Sequence, residues 1–356
     1  MKRFICLPLS FLLAVVLGVV SCSPIDDDWN GNGNGEDMPA VFVCVNNGND
    51  GNPGTKNSPV KTIQTALYIA SQKNSTNISV TSGIYTPGSG LNSKSSSYQN
   101  SGAYINVGNL DILGGWNSDF TTRTGKSELD GNSVLNHVIW LHVVNNVTID
   151  GFVIRGGNAD AGIIPHNQGG GIHINLGSGH QIKNTVISNN SADGDGGGIF
   201  AYQSPGNTIT ATISDNTGDW GGGITIAAGT NNTINATVSG NTADMNGGGI
   251  CVGQGSHNVT ISGTISGNTA ENGGGVFIDR GTGHTISATI SNNTAGWGGG
   301  VCFMDGDINS THSFASPVTI ENNENYGVAR LDDKSDPQGL DTIDWGSGNT
   351  PENINW

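Results

Sequence analysis

A block of three glycines followed by Ile or Val returns six times in this chain, and few folds can use such a block so regularly. It opens at Gly169, Gly196, Gly221, Gly247, Gly273 and Gly298, in steps of 27, 25, 26, 26 and 25 residues. A second motif keeps the same pace: Ile187-Ser188-Asn189-Asn190, Ile213-Ser214-Asp215-Asn216, Val238-Ser239-Gly240-Asn241, Ile265-Ser266-Gly267-Asn268 and Ile290-Ser291-Asn292-Asn293. Self-similarity at this period marks stacked units that bury a core only against their neighbours.

Within a unit the hydrophobic period is two. Thr208-Ile209-Thr210-Ala211-Thr212-Ile213-Ser214 alternates polar and apolar at each step, as does Ile224-Thr225-Ile226. These are strands with one buried face, separated by Gly and Asn clusters. No stretch inside the repeat is apolar every three or four residues, so helical solenoids fit poorly. A unit of this length holding three short strands suits one coil of a parallel β-helix, with coils about 4.8 Å apart. Stacking would align Asn190, Asn216, Asn241, Asn268, Asn293 and Asn323 into a hydrogen-bonded ladder. Thr185, Thr212, Thr237, Thr264 and Thr289 would form a polar row.

Ahead of the repeats, 60–73 has helical spacing and predicts an amphipathic helix capping the open N-terminal edge. Ile78-Ser79-Val80, Tyr104-Ile105-Asn106-Val107, Val138-Ile139-Trp140-Leu141 and Val147-Thr148-Ile149 alternate as less regular early coils. Beyond Ile320 the pattern dissolves into an acidic tail.

The first 21 residues read as an export signal. Lys2 and Arg3 precede an apolar run from Phe11 to Val20, too short for a permanent membrane span. Val19-Val20-Ser21-Cys22 resembles the lipobox of bacterial lipoproteins, which implies lipidation of Cys22. The expected organisation is signal 1–21, tether 22–40, β-helix 41–325 with regular repeats over 168–325, and a C-terminal cap or tail 326–356. The acidic Asp26-Asp27-Asp28 after Cys22 is either a surface-export signal or a solvated spacer. The implied location is the bacterial outer membrane at the cell surface, lipid-anchored. With 13 basic against 29 acidic residues, a net charge of −16 argues against nucleic acid or anionic headgroups as partners.

Two stretches carry a family resemblance. Asn49-Asp50-Gly51-Asn52-Pro53-Gly54-Thr55, Thr62-Ile63-Gln64-Thr65-Ala66 and Gly83-Ile84-Tyr85 resemble the N-terminal region of pectate-lyase-like β-helix proteins. Gly114-Gly115-Trp116, Leu129-Asp130-Gly131, Ile149-Asp150-Gly151-Phe152 and the Gly-Gly-Gly-Ile blocks resemble proteins with polymorphic outer membrane protein repeats. The family motif is a GGAI type paired with FxxN; here it reads GGGI or GGGV paired with ISxN. Together the resemblances span 41–325 and imply an all-β, right-handed parallel β-helix. Function does not follow from this fold, which hosts lyases, hydrolases, adhesins and spacers.

No catalytic constellation stands out. A lyase of this fold would need a basic residue to take a proton beside a uronate, and Arg155 near Asp150 is the best candidate pair among Arg123, Arg155, Arg280 and Arg330. His180, His257 and His284 recur at the repeat spacing and read as turn residues. Asp193, Asp195, Asp219, Asp244 and Glu271 precede the glycine blocks and would stack along one edge, holding Ca²⁺ or simply facing solvent. If Ile199 and Ala201 point inward, Phe200 and Tyr202 point outward, in line with His173, Thr225, Cys251, Phe277 and Cys302. Trp220 and Trp297 flank this face, and the glycine blocks between them would leave a low floor. Phe200, Tyr202, Trp220, Phe277 and Trp297 are therefore the candidate ligand-binding residues, or else packing under neighbouring loops. The expected function is a non-catalytic surface lipoprotein that binds a polysaccharide or other glycan, or a host protein, as an adhesin. The alternative is a polysaccharide lyase.

Overall fold

The structure is a computed structural model that describes residues 40–92, 100–160, 165–304, 312–315, 318–325, 327–330 and 343–344. Contacts divide the chain into two compact units, Met1–Asp37 and Met38–Trp356, and the described residues fall in the second. The export signal, Cys22 and the tether as far as residue 39 lie outside the described residues.

One coil shows how the sequence builds the rod. The strands Ile199–Tyr202, Thr208–Ser214 and Thr217–Trp220 run in succession along three faces. Each pairs in parallel with its counterpart one unit later, in Ile224–Ala227, Thr233–Ser239 and Thr242–Asn246. Repetition of this step gives a right-handed parallel β-helix of three strands per coil; the period-two pattern predicted its strands and the family resemblance its hand. Among the described residues one face is a nine-stranded sheet, and the other two merge into a twenty-one-stranded sheet. Ile199, Ile224, Ile250, Val276 and Val301 stack in its interior, all fully buried. The helix Ile63–Lys73 closes the N-terminal edge. Thr62 caps it by accepting from the Thr65 N–H, and Ile63, Ala66, Leu67 and Ala70 face the core.

The ISxN motif is a turn with an internal lock. Its third residue is left-handed: φ is 55° at Asn189, 57° at Asp215, 65° at Gly240 and 66° at Gly267. Asn, Asp and Gly are the residue types that tolerate this region, which explains why only they occupy the position. The fourth residue forms the predicted ladder. Asn216 Nδ2 donates to Asn241 Oδ1 at 2.9 Å and to the Ile187 carbonyl at 3.0 Å, while its own Oδ1 accepts from both the backbone N–H and Nδ2 of Asn190. The same links join Asn241, Asn268, Asn293 and Asn323. Each inner amide thus uses both donors and both lone pairs, so burial costs no unpaired group.

The glycine blocks belong to the stack rather than to a ligand floor, which corrects the expectation above. The first glycine takes φ of 66° at Gly196 and 67° at Gly221. A Cβ on the second would lie 2.1 Å from the Thr217 carbonyl oxygen at Gly197, and 2.2 Å from that of Thr242 at Gly222. Two further readings change. A bulge between Lys183 and Val186 puts Val186, not Thr185, opposite Thr212, and Thr185 is buried. The stacking also passes the expected boundary at 325, because Val328–Arg330 pairs with Val301–Phe303 and Ile343–Asp344 with His312–Ser313.

Candidate functional site

Strand register lines up one outward row across the nine-stranded sheet: Tyr104, Trp140, His173, Phe200, Thr225, Cys251, Phe277, Cys302 and Ala329. The predicted parity holds, since Ile199 and Ala201 enter the core and Phe200 does not. The predicted exposure does not hold for most of the row. Phe200 is 2% exposed and Phe277 0%, because other side chains cover the face; Tyr202, at 39%, is the exposed ring.

The cover differs along the row. Over its C-terminal part, Cys251, Phe277 and Cys302 form a second apolar cluster against which Trp220, Trp297 and Met304 pack. The Trp220 indole meets Phe277 edge-on at 5.9 Å between ring centroids. Phe277 stands between Cys251 and Cys302 in the register, keeping the thiols apart, and burial pushes the Cys251 thiol well up from its ordinary range. Trp220 and Trp297 act there as a lid, which corrects their reading as two ends of an open floor.

The N-terminal part is covered differently. Phe200 and Tyr202 stack with planes 7° apart and centroids 6.3 Å apart. They border a cavity of about 410 Å³ lined also by Pro165, Gln168, His173, Asn175, Asp195 and Ala227. Asp195 accepts from Gln168 Nε2 at 2.7 Å. Burial, with a smaller push from Asp219, raises its carboxyl to about 6 despite that bond. A stacked pair of rings beside an amide-rich rim and one carboxyl that changes charge near neutrality can bind a polar ring through its face and its hydroxyls.

Beneath this cavity lies a cluster that motif reading missed. The imidazoles of His137, His142, His166 and His173 surround Trp140, with centroids 5.0, 5.5, 5.7 and 5.1 Å from its ring. His173 lies 5.3 Å from Phe200, joining the cluster to the cavity wall. Burial, opposed by a bond to the Gln168 carbonyl, pulls His173 down to about 4; burial and the neighbouring His173 pull His137 well below its ordinary value. The available signal was the shared alternation of Ile139-Trp140-Leu141, Ile172-His173-Ile174 and Ile199-Phe200-Ala201, spaced too irregularly to register as a repeat.

The acidic row is partly assembled. The register places Asp219 over Asp193 and Asp244, with Glu271 continuing in line. Burial raises Asp219, and then Asp244 and Asp193 raise it further. Asp195 leaves this row for the next one, where it aligns with Trp220, Asn246, Asn272 and Trp297. Among the described residues no three His, Cys, Asp or Glu side chains come together closely enough to hold a metal ion.

The arginine expected to serve as a base is committed elsewhere. Arg155 pairs with Glu128 at 2.5 Å and Asp130 at 2.9 Å, not with Asp150, whose partner is Arg123 at 2.8 Å. The hydrogen bond that Arg155 donates to Glu128, with both carboxylates nearby, raises Arg155 above its already high value, the wrong direction for a proton acceptor. His180 and His284 share one structural position, each accepting a backbone N–H from the preceding coil at Nδ1, from Val147 and Val259. His257 does not join them; it pairs with Thr282.

Comparison with known proteins agrees with this architecture. Residues 184–202 match the model of the Chlamydia polymorphic membrane protein repeat. No curated protein matches the sequence. Among solved structures, that of pectate lyase Pel9A superposes with a TM-score of 0.55 at 13% identity, over 88% of this chain and 81% of the other. At that identity the likeness is one of fold. The chain therefore has the parallel β-helix fold of that structure, and the stretch 184–202 within it matches the polymorphic membrane protein repeat.

Proposed function

We propose that the protein is a surface-exposed, adhesin-like bacterial outer-membrane protein, anchored through a lipid on Cys22, that binds a glycan in the cavity beside Phe200 and Tyr202. The observation that carries this reading is the stacked ring pair bordering a cavity of about 410 Å³ with Gln168, Asn175 and Asp195 on its wall. A cavity of that size suits one or two sugar rings better than a flat protein contact, which needs a far larger area. The resemblance to polymorphic membrane protein repeats supports the surface setting. Binding of the full-length chain to a glycan array, lost in Tyr202→Ala, is the expected result. Retention unaffected by Tyr202→Ala, or capture only by host matrix proteins, would reject the glycan site. Release of unsaturated uronides from pectin, alginate or glycosaminoglycan would instead favour a lyase, against the pairing of Arg155.

The row of Asp193, Asp219, Asp244 and Glu271 supports a secondary role for calcium, because the neighbouring Asp244 and Asp193 add like-charge repulsion to the burial that first raises Asp219. A calcium ion between neighbouring acids would relieve it. Chelation that leaves the melting temperature unchanged removes calcium from the picture.

A further inference from the structure

Four of the chain's eight histidines crowd around one indole, and two of them are fixed in a particular tautomer. His137 Nδ1 lies 3.0 Å from the Gly169 carbonyl oxygen, and His173 Nδ1 lies 2.9 Å from that of Gln168. A carbonyl oxygen only accepts, so each Nδ1 carries the proton and each Nε2 presents a bare lone pair. Both Nε2 atoms are buried without a hydrogen-bond partner, as are the nearby Trp140 Nε1, which is a donor, and His166 Nδ1. The two rings are 0% and 1% exposed, with centroids 4.9 Å apart. His180 and His284 are the opposite case: each spends its Nδ1 lone pair on a backbone N–H, leaving the proton on Nε2.

We propose that His137 and His173 hold a copper or zinc ion through their Nε2 atoms, beside the Trp140 indole. Anchoring one imidazole nitrogen to a carbonyl, so that the other is aimed and basic, is how metal-binding histidines are held. Late first-row ions favour such nitrogens over water, and neutral rings are what they need. The described side chains offer two fixed ligands rather than three. Any further ligand comes from the cavity that His173 lines or from His166, whose ring lies 6.3 Å from that of His137. The competing occupant is a single water, which could donate to both Nε2 atoms and accept from Trp140 Nε1.

The test is equilibrium dialysis of the chelator-treated full-length chain against Zn²⁺ or Cu²⁺ alone, with bound metal measured by elemental mass spectrometry. One equivalent per chain is expected. His137→Phe and His173→Phe should each weaken it at least tenfold, while His257→Ala leaves it unchanged. Phenylalanine keeps an aromatic ring at both positions, and the row of His173 already accepts it at Phe200 and Phe277. No uptake by the wild type, the water-only outcome, overturns the proposal, as does uptake indifferent to both substitutions. Pulsed EPR of the copper-loaded wild type needs no variant: coupling to two imidazoles is expected, and coupling to none rejects the site.

Discussion

The same outward row is finished in two different ways. From Cys251 to Cys302 it is dry: thiols and a phenyl ring lie under Trp220, Trp297 and Met304. From Tyr104 to Phe200 it is aromatic, with an indole and an imidazole between the two end rings; it borders a cavity and leaves the buried ring nitrogens of Trp140 and His173 without partners. Both halves pair in parallel with their outward residues in one row. Regular backbone therefore sets where side chains stand, while side-chain chemistry alone decides which stretch becomes a wall and which a receptor. Leaving a buried polar atom unpaired costs about 1–3 kcal/mol, so the N-terminal half is the one that gains from a guest.

Substitutions can break this contrast at graded strength. Phe277→Ala should act most, lowering the unfolding free energy by about 3–5 kcal/mol in chemical denaturation, because a fully buried ring leaves a cavity that the lid cannot fill. Its glycan binding should stay intact; loss of binding would show that the two halves are not separate. Acid acts next, and on the other half. His173 is held near 4 in the fold against about 6.5 unfolded, so the unfolded chain takes up the proton first as pH falls. Its share of stability is whole above about 6.5 and lost by about 4, roughly 3 kcal/mol in all. Denaturation of wild type and His173→Phe at pH 7 and pH 4 should show that the variant loses less.

The cavity residues come last in stability and first in binding. Asp195 is raised to about 6, so its penalty appears as pH climbs from about 3.8 and is complete above 6. Asp195→Asn should be slightly more stable at pH 7, by less than about 1 kcal/mol for a half-buried group, and should flatten any change in glycan affinity around pH 6. An affinity step near pH 6 that survives in Asp195→Asn would assign the step to another group. Tyr202→Ala, at an exposed ring, should shift stability by about 0.5 kcal/mol or less while abolishing glycan retention.

The contrast also explains what could be read in the chain beforehand. The Asn ladder, the strand parity and the N-terminal helix are legible because each is set by local chemistry recurring at a fixed interval: a left-handed turn residue, an alternating strand, a cap at Thr62. The lid is not legible. Trp220 covers Phe277, 57 residues away, and nothing in the sequence near either says that they meet. The imidazole cluster is hidden for a related reason. Trp140 and His173 share a row at a spacing of 33 residues, longer than the later repeats, because a longer stretch of chain joins Ala159 to Ile172 than joins Ala192 to Ile199. Exposure was misjudged at Phe200 and Phe277 since alternation reports which side of a strand a residue leaves from, not what lies beyond it.

The hydrogen-bonded asparagines have an evolutionary corollary. Every rung offers upward what it receives from below, so the molecule carries identical connectors at both ends of each unit. Inserting or removing a whole unit between Asn216 and Asn293 leaves no connector unmatched, whereas a partial one severs the series. Lineages can therefore lengthen or shorten the rod in whole steps and move the distant half relative to the cavity beside Phe200 and Tyr202 without redesigning either.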